Sequence, residues 1–553
     1  MRLMDPRSVL TKGAALAPAY ARAGGRIALG GDDRNPALDA EGRSAEPRLV
    51  TQASEVSGRI VFGAWALLLA LAAVPIFSTV LPPLVDYPNH LARFYLLAQG
   101  GNDYYAVRWA PLPNLAGDVI VPALAQAMPL GLAAKVFLVT TFALLTGGTL
   151  WLSRVTSGGW RLWPLMSFLL LYNREFLLGF LNYLFALGVA LCGTALWLAV
   201  ERRPSGERMA ISSVMALICF FCHISGFAIY AIAIAGLEAM PAWAECRLHR
   251  WRELAWRCVV TGAQFLIPAS IIVISWRPPI RGSYEWFWEK AYLFLSVLDN
   301  YNLPFDIACI VAILGLLGCL VWQRQLRLAL RFRPVLALLA VAYFALPTYL
   351  ATGWAADERF SLAFVFMLFG LTTVRFYRTR TAAITAAALA VIFVARFAVI
   401  ERLWLTSDRV YTEDLAKLDR LPMGCRVAIA YSVEGTKIHR IPQWHLGALA
   451  VERRAAFVPT LFTYSTQQPL VVSPPWAALA NTAQPWKLWA AFFNNDPAAS
   501  AQVAPILAQY DYVIFSDNQP FLVPEQPCVQ SLADGGSFQI FKLIHGVACH
   551  PAH

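Results

Sequence analysis

Four polar residues of the kind used in acid–base chemistry stand together after the first strongly apolar segment, in the stretch PPLVDYPNHLARFYLLAQ from residue 82. Asp86 precedes His90 by four residues, and Asn89 precedes Arg93 by four. A proline just after the aspartate favours a helix that starts here, and residues four apart share one helical face. The positive end of the helix dipole favours an ionised Asp86. The stretch therefore predicts a polar cluster at a helix start or, as the simpler alternative, an interfacial helix that the aspartate caps.

The composition indicates the surroundings of this cluster. Of the 553 residues, 58% are hydrophobic and only 14% are charged, and the mean hydropathy is +0.53. These values exclude an ordinary soluble protein and indicate a protein embedded in the lipid bilayer. The formal net charge of +11 is spread over the ends of apolar segments. Membrane topology explains this charge better than nucleic-acid binding, so no nucleic-acid partner is expected.

Apolar segments long enough to cross a bilayer recur from Arg59 to Ile400, since a helix needs about 20 residues to span the hydrocarbon core. Eleven spans are predicted, at 59–80, 129–153, 160–173, 177–200, 208–222, 224–241, 255–276, 304–322, 334–352, 359–375 and 379–400. Every second loop is basic, which places the N-terminus in the cytoplasm and the chain after Ile400 outside. We therefore expect a mainly α-helical, polytopic protein of the bacterial inner membrane.

The two ends of the chain differ in composition from the membrane part, which is predicted to occupy residues 59–402. Residues 1–58 mix glycine, proline, alanine and charges of both signs, which is typical of a disordered tail, here on the cytoplasmic side. Residues 403–553 are predicted to form a small extracytoplasmic α/β domain. Its predicted strands are CRVAIAY at 425–431, YDYVIFSDN at 510–518 and SFQIFKLI at 537–544.

One turn in this topology is inferred from charge alone. The segment 208–243 has basic flanks at both ends, so it should cross the bilayer an even number of times. The only interruption is CHISG at 222–226, which would place His223 at an outer tip. The alternative is a single long, tilted helix with a buried histidine.

The predicted topology collects most polar membrane-edge residues on the outer face. They are Asp86, His90, Arg93, Asn114, Asp118, Asn173, Arg174, Glu175, His223, the loop 277–303, Asp357, Glu358 and Arg359. Charges near a bilayer are costly and are usually retained for function, so this convergence marks a candidate site.

Three stretches carry a resemblance to a known family, namely VDYPNHLAR at 85–93, PLPNLAGD at 111–118 and ADERFSLAFVFM at 356–367. With a long outer loop after the first span and a C-terminal extracytoplasmic domain, the chain resembles the GT-C superfamily of polyprenyl-phosphate-sugar-dependent glycosyltransferases, of the mannosyltransferase or aminoarabinose-transferase kind. The likeness covers nearly all of 59–553. It implies a membrane enzyme that transfers a sugar, with inversion, from a polyprenyl-phosphate donor to an extracytoplasmic lipid, glycan or protein.

The resemblance also implies roles for individual residues. Asp86 matches the family's first-loop acid, which activates the acceptor hydroxyl or helps to hold a divalent cation, and His90 is the second catalytic candidate. Arg359 matches an arginine that faces the lipid phosphate, because a guanidinium stays charged and grips phosphate oxygens. Arg174 is a further phosphate-binding candidate, as are Arg277 and Arg281. The alternative is a helix-end Arg359 paired with a neighbouring carboxylate.

A metal site would need a second acid, because the family often has two adjacent acids where this chain has Asp86 alone. Glu175 is the candidate, with His90 as a nitrogen ligand of a Mg, Mn or Zn ion. The remaining candidates are expected to line the substrate site; they are Asn89, Arg93, Asn114, Asp118, His223 and Glu358. Asn114 and Asp118 could instead cap the next helix.

Other classes of function stay open. A transporter or flippase for lipid-linked glycans would place polar groups at mid-membrane, whereas here they gather at one face. A ligase for lipid-linked glycans would centre on a different outer loop. A noncatalytic envelope protein is the third alternative.

Overall fold

The structure is a computed structural model that describes residues 56–275, 282–284, 287–350, 353–432, 442–480, 484–493 and 497–547. Nearly all of the predicted N-terminal tail lies outside these residues, as do Arg277 and Arg281 of the candidate phosphate site.

Helices dominate the chain up to residue 418. In chain order they are α1 Gly58–Ser78, α2 Tyr87–Gln99, α3 Ala116–Leu124, α4 Leu130–Ser157, α5 Arg174–Leu178, α6 Leu181–Ala199, α7 Ser205–Cys222, α8 Ile224–Arg247, α9 Trp251–Gly262, α10 Leu266–Ser275, α11 Phe287–Leu295, α12 Leu303–Trp322, α13 Arg333–Ala345, α14 Glu358–Leu371 and α15 Thr379–Leu418. Short helices follow: α16 Ala450–Arg454, α17 Ala477–Ala480, α18 Pro485–Phe493 and α19 Pro497–Leu507.

Eight helical segments of the described chain are long and apolar enough to cross a membrane. They are α1, α4, α6, α7, α8, the run Trp251–Ser275 that contains α9 and α10, α12 and α15. The protein is therefore a mostly helical, multi-pass membrane protein.

Three of the eleven predicted spans form helices shorter than a bilayer. The span predicted at 160–173 contains a 3₁₀-helix at Trp163–Leu170, and those predicted at 334–352 and 359–375 contain α13 and α14. At 1.5 Å per residue, α13 and α14 each cover about 20 Å of a hydrocarbon core of roughly 30 Å. Helix α13 stops early because Pro347 disfavours helical backbone at the residue before it.

Contacts between loops sort the polar residues into two ends of the helical part. The acidic end comprises residues 82–118, 172–180, 223–225, 287–302 and 353–359, and it is joined by bonds such as that from Tyr301 Oη to the carbonyl of Pro83. The basic end comprises residues 154–161, 201–208, 238–257, 324–333 and 371–378, joined by ion pairs such as that of Arg331 with Glu201.

The three short segments each connect these two ends. Trp163 donates from Nε1 to Thr372 Oγ1 at the basic end, whereas the chain ten residues later has reached the acidic end. Helix α13 starts at the basic end, and the carbonyl just after it accepts a hydrogen bond from Lys290 at the acidic end. Helix α14 runs back from Glu358 to Leu371. Each of the three segments therefore carries the chain between the basic end and the acidic end, although none contains a helix long enough to span a bilayer.

The predicted reversal near residue 223 is confirmed. Helices α7 and α8 are separated by His223, whose φ of −170° and ψ of 138° are extended. Arg208 and Glu238, which lie equally far from His223 along the chain, form an ion pair at 3.1 Å. The two helices therefore run antiparallel, and the alternative of one long helix is wrong.

The C-terminal segment contains a four-stranded sheet, whose strands lie in the order Val427–Tyr431, Tyr512–Ser516, Phe538–Leu543 and Val529–Ala533. The small strands before it are β1 Tyr105–Val107, β2 Gly282–Ser283, β3 Leu326–Leu328, β4 Tyr349–Leu350 and β5 Thr372–Val374. The remaining strands are β6 Val427–Tyr431, β7 Leu470–Val472, β8 Tyr512–Ser516, β9 Val529–Ala533 and β10 Phe538–Leu543. Strand β6 is parallel to β8, and the other pairs in the sheet are antiparallel.

The boundary expected at residue 402 falls inside a continuous helix. Helix α15 has 40 residues without glycine or proline, so nothing in its sequence stops it at the membrane edge. At about 60 Å it is roughly twice as long as a bilayer core is thick. It therefore carries the chain from the membrane part directly to the C-terminal sheet.

Helix α2 lies between the helical part and the C-terminal segment. Strand β1, just after α2, pairs antiparallel with β7. Asn89 of α2 donates from Nδ2 to the carbonyl of Thr460 over 2.8 Å. These contacts bring the polar start of α2 against residues more than 350 positions later in the chain.

Candidate active site

Asp86 is held at the start of α2 by the backbone of α5. Its N–H donates to the carbonyl of Leu178 over 3.1 Å. Gly179 follows with a φ of +89°, and a Cβ placed there would lie 2.8 Å from the Cβ of Asp86. Only glycine combines this left-handed backbone with so close an approach. The side chain of Asp86 caps no backbone N–H of α2, so the interpretation as a simple helix cap is wrong.

The side chain of Asp86 instead faces a histidine from the C-terminal segment. Nε2 of His445, in the 3₁₀-helix Pro442–Leu449, lies 3.4 Å from Oδ1 of Asp86. Asn89 donates from Nδ2 to Nδ1 of His445 over 3.3 Å, and its Oδ1 accepts from the N–H of Phe462. Because Nδ1 of His445 accepts, the ring proton is on Nε2 and points to Asp86.

Burial shifts the acid–base properties of both groups. It raises the pKa of Asp86 to about 7, although the positive charge of Arg93 lowers it. Burial also lowers the pKa of His445 to about 4. At neutral pH the histidine is therefore uncharged, whereas Asp86 gains and loses its proton in the neutral range. A carboxylate that titrates near the working pH is suited to accept a proton in a reaction.

An aromatic pair lies beside Asp86. Tyr431, the last residue of β6, stacks on Trp444 with ring centroids 4.7 Å apart. Burial and then the negative charge of Asp86 raise the pKa of Tyr431 to about 12. The tyrosine therefore stays neutral and offers an aromatic face and a hydroxyl group next to the carboxylate.

The imidazole of His90 positions the neighbouring backbone and forms no hydrogen bond with the side chain of Asp86. Its Nε2 donates to the carbonyl of Gly179 over 3.0 Å, and its Nδ1 is buried without a hydrogen-bond partner among the described residues. Burial, and then the charge of Arg93, lower its pKa well below the ordinary value. His90 is therefore a neutral group that fixes the turn against which Asp86 packs.

Arg93 and Asp118 form a fully buried ion pair. Arg93 Nε lies 2.7 Å from Asp118 Oδ1, and both side chains are 0% exposed. The pair joins α2 to α3 and cannot touch a substrate directly in this conformation. Asn114 precedes α3 and accepts at Oδ1 from Asn182 of α6. Helix α3 has no side-chain cap, so the alternative in which Asn114 and Asp118 cap it is wrong.

Arg359 lies in a different part of the acidic end and has no ion pair with a described carboxylate. Its Nη1 donates to Ser225 Oγ and its Nη2 to the carbonyl of Trp354, each over 3.2 Å. Nε is buried without a hydrogen-bond partner among the described residues. The guanidinium lies 5.1 Å from the ring centroid of Phe180 and 5.7 Å from that of Tyr183.

The neighbouring carboxylates are paired with other cations. Glu358 accepts from Arg174 Nε at 2.8 Å, and Asp357 lies 2.9 Å from Lys290 Nζ. The alternative in which Arg359 is neutralised by one of these acids is therefore wrong for the described structure. Arg174, by contrast, is already paired with Glu358.

Glu175 and His223 complete the surroundings of Arg359. Burial, and then the adjacent Glu358, raise the pKa of Glu175 to about 8, so Glu175 is mostly protonated at neutral pH. His223 accepts at Nδ1 from the N–H of Ser225 over 3.0 Å. It caps α8 and orients the serine that contacts the guanidinium.

Gly179 and Phe180 connect the two halves of the site. The backbone of Gly179 packs against Asp86, and the ring of Phe180 packs against the guanidinium of Arg359. The Cα atoms of consecutive residues are about 3.8 Å apart. A titratable carboxyl group and a cation that pairs with no described carboxylate therefore lie on two sides of one dipeptide.

The predicted metal ligands do not come together. Among residues 56–547, apart from the undescribed gaps, no three His, Cys, Asp or Glu side chains lie close enough to hold a metal ion. Asp86 faces His445, His90 bonds to a carbonyl, and Glu175 lies beside Glu358. The residues present do not form the predicted site, and no chemical step is assigned to a metal.

Several residues of the site carry no signal in the sequence. His445 lies in IPQWHLG, which matches no pattern of a catalytic or binding site, and it reaches Asp86 only through the packing of the C-terminal segment on α2. Phe180 lies inside the predicted span 177–200, which indicates a membrane core. Ser225 lies in the predicted turn at 222–226, where nothing in the sequence indicates its contact with Arg359. The left-handed Gly179 follows a short helix, and this glycine was the one available signal of a turn near the site.

The sequence matches no protein-family model and no curated protein. Among solved structures, the chain is similar to the crystal structure of ArnT from Cupriavidus metallidurans bound to undecaprenyl phosphate, with 13% identity, a TM-score of 0.47, and coverage of 89% of this chain and 99% of the other. The apo structure of the same ArnT gives 12% identity, a TM-score of 0.48, and coverage of 89% and 100%. Likeness at this level carries no inference about the activity of this chain.

Proposed function

We propose that the protein is an integral membrane glycosyltransferase that moves a sugar from a polyprenyl-phosphate donor to a hydroxyl group of an extracytoplasmic acceptor. The observation that carries the proposal is the placement of Asp86 and Arg359 on two sides of residues 179 and 180. Sugar transfer from a lipid phosphate needs a base for the acceptor and a cation for the leaving phosphate. The acidic end supplies one of each.

The reaction is a direct displacement at the anomeric carbon. Asp86 accepts the proton of the acceptor hydroxyl while the acceptor oxygen bonds to that carbon. The bond from the carbon to the phosphate oxygen breaks at the same time, and polyprenyl phosphate leaves with the electron pair. A single displacement inverts the anomeric centre and needs no covalent enzyme intermediate.

Arg359 stabilises the phosphate that leaves. Its guanidinium is charged and has no carboxylate partner in the described chain, and its Nε has no hydrogen-bond partner there. A planar guanidinium can donate two parallel hydrogen bonds to phosphate oxygens. Arg174 is less suited to this role because Glu358 already accepts from its Nε.

His445 keeps Asp86 in a reactive state. Its Nε2–H points to the carboxylate, but the ring is neutral because burial lowers its pKa to about 4. A charged imidazolium here would stabilise the ionised carboxylate and make it a weaker base. The neutral ring orients Asp86 without weakening it as a base. Beside Asp86, the aromatic pair Tyr431 and Trp444 offers a surface on which a sugar ring can stack.

The proposed topology places the acidic end and the C-terminal segment outside the cytoplasm. In it, the chain crosses eleven times, counting the three segments whose helices are short, and the N-terminus is cytoplasmic. Cys528 is disulfide-bonded, and disulfides persist mainly in oxidising compartments. The basic loops at the opposite end favour the cytoplasmic side.

A transfer assay tests the proposal with two variants. Purified protein is supplied with radiolabelled polyprenyl-phosphate sugar and an extract of envelope acceptors. Asp86→Asn should abolish transfer while donor binding is kept, since it removes the base. Arg359→Gln should weaken donor binding at least tenfold, since a charge-assisted contact is worth about 1.5–3 kcal/mol.

Matched controls separate these effects from a general loss of charge. Asp103→Asn and Arg108→Gln change exposed residues between α2 and α3. Both variants should leave transfer and donor binding unchanged. Transfer at the normal rate by Asp86→Asn would remove Asp86 from the mechanism. Unchanged donor affinity in Arg359→Gln would contradict the phosphate role.

A further inference from the structure

A cavity lined by arginines lies at the basic end, at the opposite end of the helical part from the candidate active site. Its volume is about 740 Å³. It opens beside the two-stranded sheet in which β3 pairs antiparallel with β5. Five arginines line it: Arg161, Arg324, Arg327, Arg333 and Arg375.

The walls of this basic pocket are fixed by several contacts. The N–H of Arg375 donates to the carbonyl of Gln325 over 2.9 Å, which extends the pairing of β3 with β5. Thr372, the first residue of β5, accepts at Oγ1 from Trp163 Nε1. Arg324 has a left-handed φ of 55°, which turns the chain at the end of α12 where glycine is the usual residue. The backbone segments that carry the arginines are therefore held in place by hydrogen bonds.

Four of the five arginines have no carboxylate partner in the described part of the protein. No aspartate or glutamate is among the described residues that line the pocket. Arg324, Arg327, Arg333 and Arg375 form no ion pair with any described carboxylate, whereas the neighbouring Arg331 is paired with Glu201. Like charges held this close repel one another, and an anion in the pocket relieves that repulsion.

The rim of the pocket continues into an exposed apolar surface. Val321 lines the cavity and is 58% exposed, and the adjacent Trp322 is 87% exposed. Both end α12, a candidate membrane span. A tryptophan at the end of a span is typical of the membrane interface. The cavity therefore lies at the depth of lipid headgroups, and apolar surface lies next to it for acyl chains.

We propose that this pocket binds the phosphate of an anionic membrane lipid, with the acyl chains against α12. Arginine forks suit phosphate oxygens, and basic pockets between membrane helices on the cytoplasmic side are a recurrent setting for acidic headgroups. The predicted topology places this end at the cytoplasmic leaflet, which carries such lipids. The site is independent of the sugar-transfer proposal, because it uses none of the same residues.

Native mass spectrometry of the full-length protein in detergent tests the proposal. Titration with dioleoylphosphatidylglycerol should give a saturable bound lipid, and dioleoylphosphatidylcholine should not. Arg324→Gln combined with Arg375→Gln should weaken binding of the anionic lipid about 25-fold, at about fivefold for each arginine. The independent pair Arg327→Gln and Arg333→Gln should have a similar effect, which covers the case that one double variant does not fold.

A charge-matched control and a soluble competitor complete the test. Arg202→Gln combined with Arg247→Gln removes two exposed charges at the same end outside the pocket, and its affinity for the anionic lipid should be unchanged. An equal loss in this control would overturn the proposal in favour of nonspecific surface attraction. If inorganic phosphate displaces the lipid at equal molar concentration, the ligand is a free phosphate and the lipid assignment is wrong.

Discussion

Replacing Asp86 by asparagine is expected to stabilise the protein while it removes the proposed base. In the folded protein burial raises the pKa of Asp86 from its ordinary 3.8 to about 7. Below about pH 4 the carboxyl group is protonated in both states and is neutral toward stability. As the pH rises toward 7, the unfolded chain releases the proton more readily than the folded one. The aspartate therefore destabilises the folded state increasingly, up to its folded pKa.

The size of this effect follows from the same shift. The side chain of Asp86 is only 19% exposed, so solvent screening removes little of it. With about 1.4 kcal/mol for each pKa unit, the aspartate costs about 2 kcal/mol at about pH 5 and about 4 kcal/mol at about pH 8. Asp86→Asn should raise the free energy of unfolding by these amounts, because the asparagine amide carries no charge at either pH.

Thermal unfolding in detergent measures the prediction. The gain in Tm of Asp86→Asn over the parent protein should be clearly larger near pH 8 than near pH 5, since about 2 kcal/mol separates the two conditions. Asp103→Asn changes an exposed aspartate on the following loop and should show no such difference. A gain that is the same at both pH values, or a loss of Tm near pH 8, would refute the reasoning about Asp86.

Three further predictions concern the elements that hold the site. Gly179→Ala should slow transfer and lower Tm, because the new Cβ would lie 2.8 Å from the Cβ of Asp86. The control is Gly158→Ala, which also has a positive φ but has no atom within 4 Å of the new Cβ, and it should lower Tm only. Asn89→Ala should lower stability by about 2–3 kcal/mol through lost buried hydrogen bonds and slow transfer, and normal kinetics would contradict its positioning role. Arg174→Met should lower the free energy of unfolding by about 3–5 kcal/mol, because it leaves the buried Glu358 without its partner. In a double-mutant cycle, adding Glu358→Gln should restore most of that free energy. Additive losses in the cycle would show that Arg174 and Glu358 do not interact.

The elements near the site could be predicted largely from the sequence. Pro88 and the polar residues around it mark the start of α2, which the structure places at Tyr87. The basic flanks of 208–243 predict a reversal, and α7 and α8 reverse at His223. These features depend on local turn chemistry and on charge alternation, and both can be read from a few neighbouring residues.

The partners within the site could not be predicted. His445 approaches Asp86 from more than 350 residues away, and no local pattern carries such a contact. Nothing in the sequence around Arg93 indicates that this arginine is fully buried against Asp118. Whether a charged residue near a membrane edge is free or paired depends on packing between distant segments. For the same reason Arg174 and Arg359 are equivalent in the sequence but differ in the structure.

A structure of the Asp86→Asn variant with a polyprenyl-phosphate sugar bound tests the central claim most directly. The variant should hold the donor without consuming it. Phosphate oxygens are predicted within about 3 Å of the Arg359 guanidinium, the distance of a charge-assisted hydrogen bond, with the anomeric carbon facing residue 86. A phosphate bound elsewhere, or a sugar separated from residue 86 by protein, would contradict the assignment of these two residues to one site.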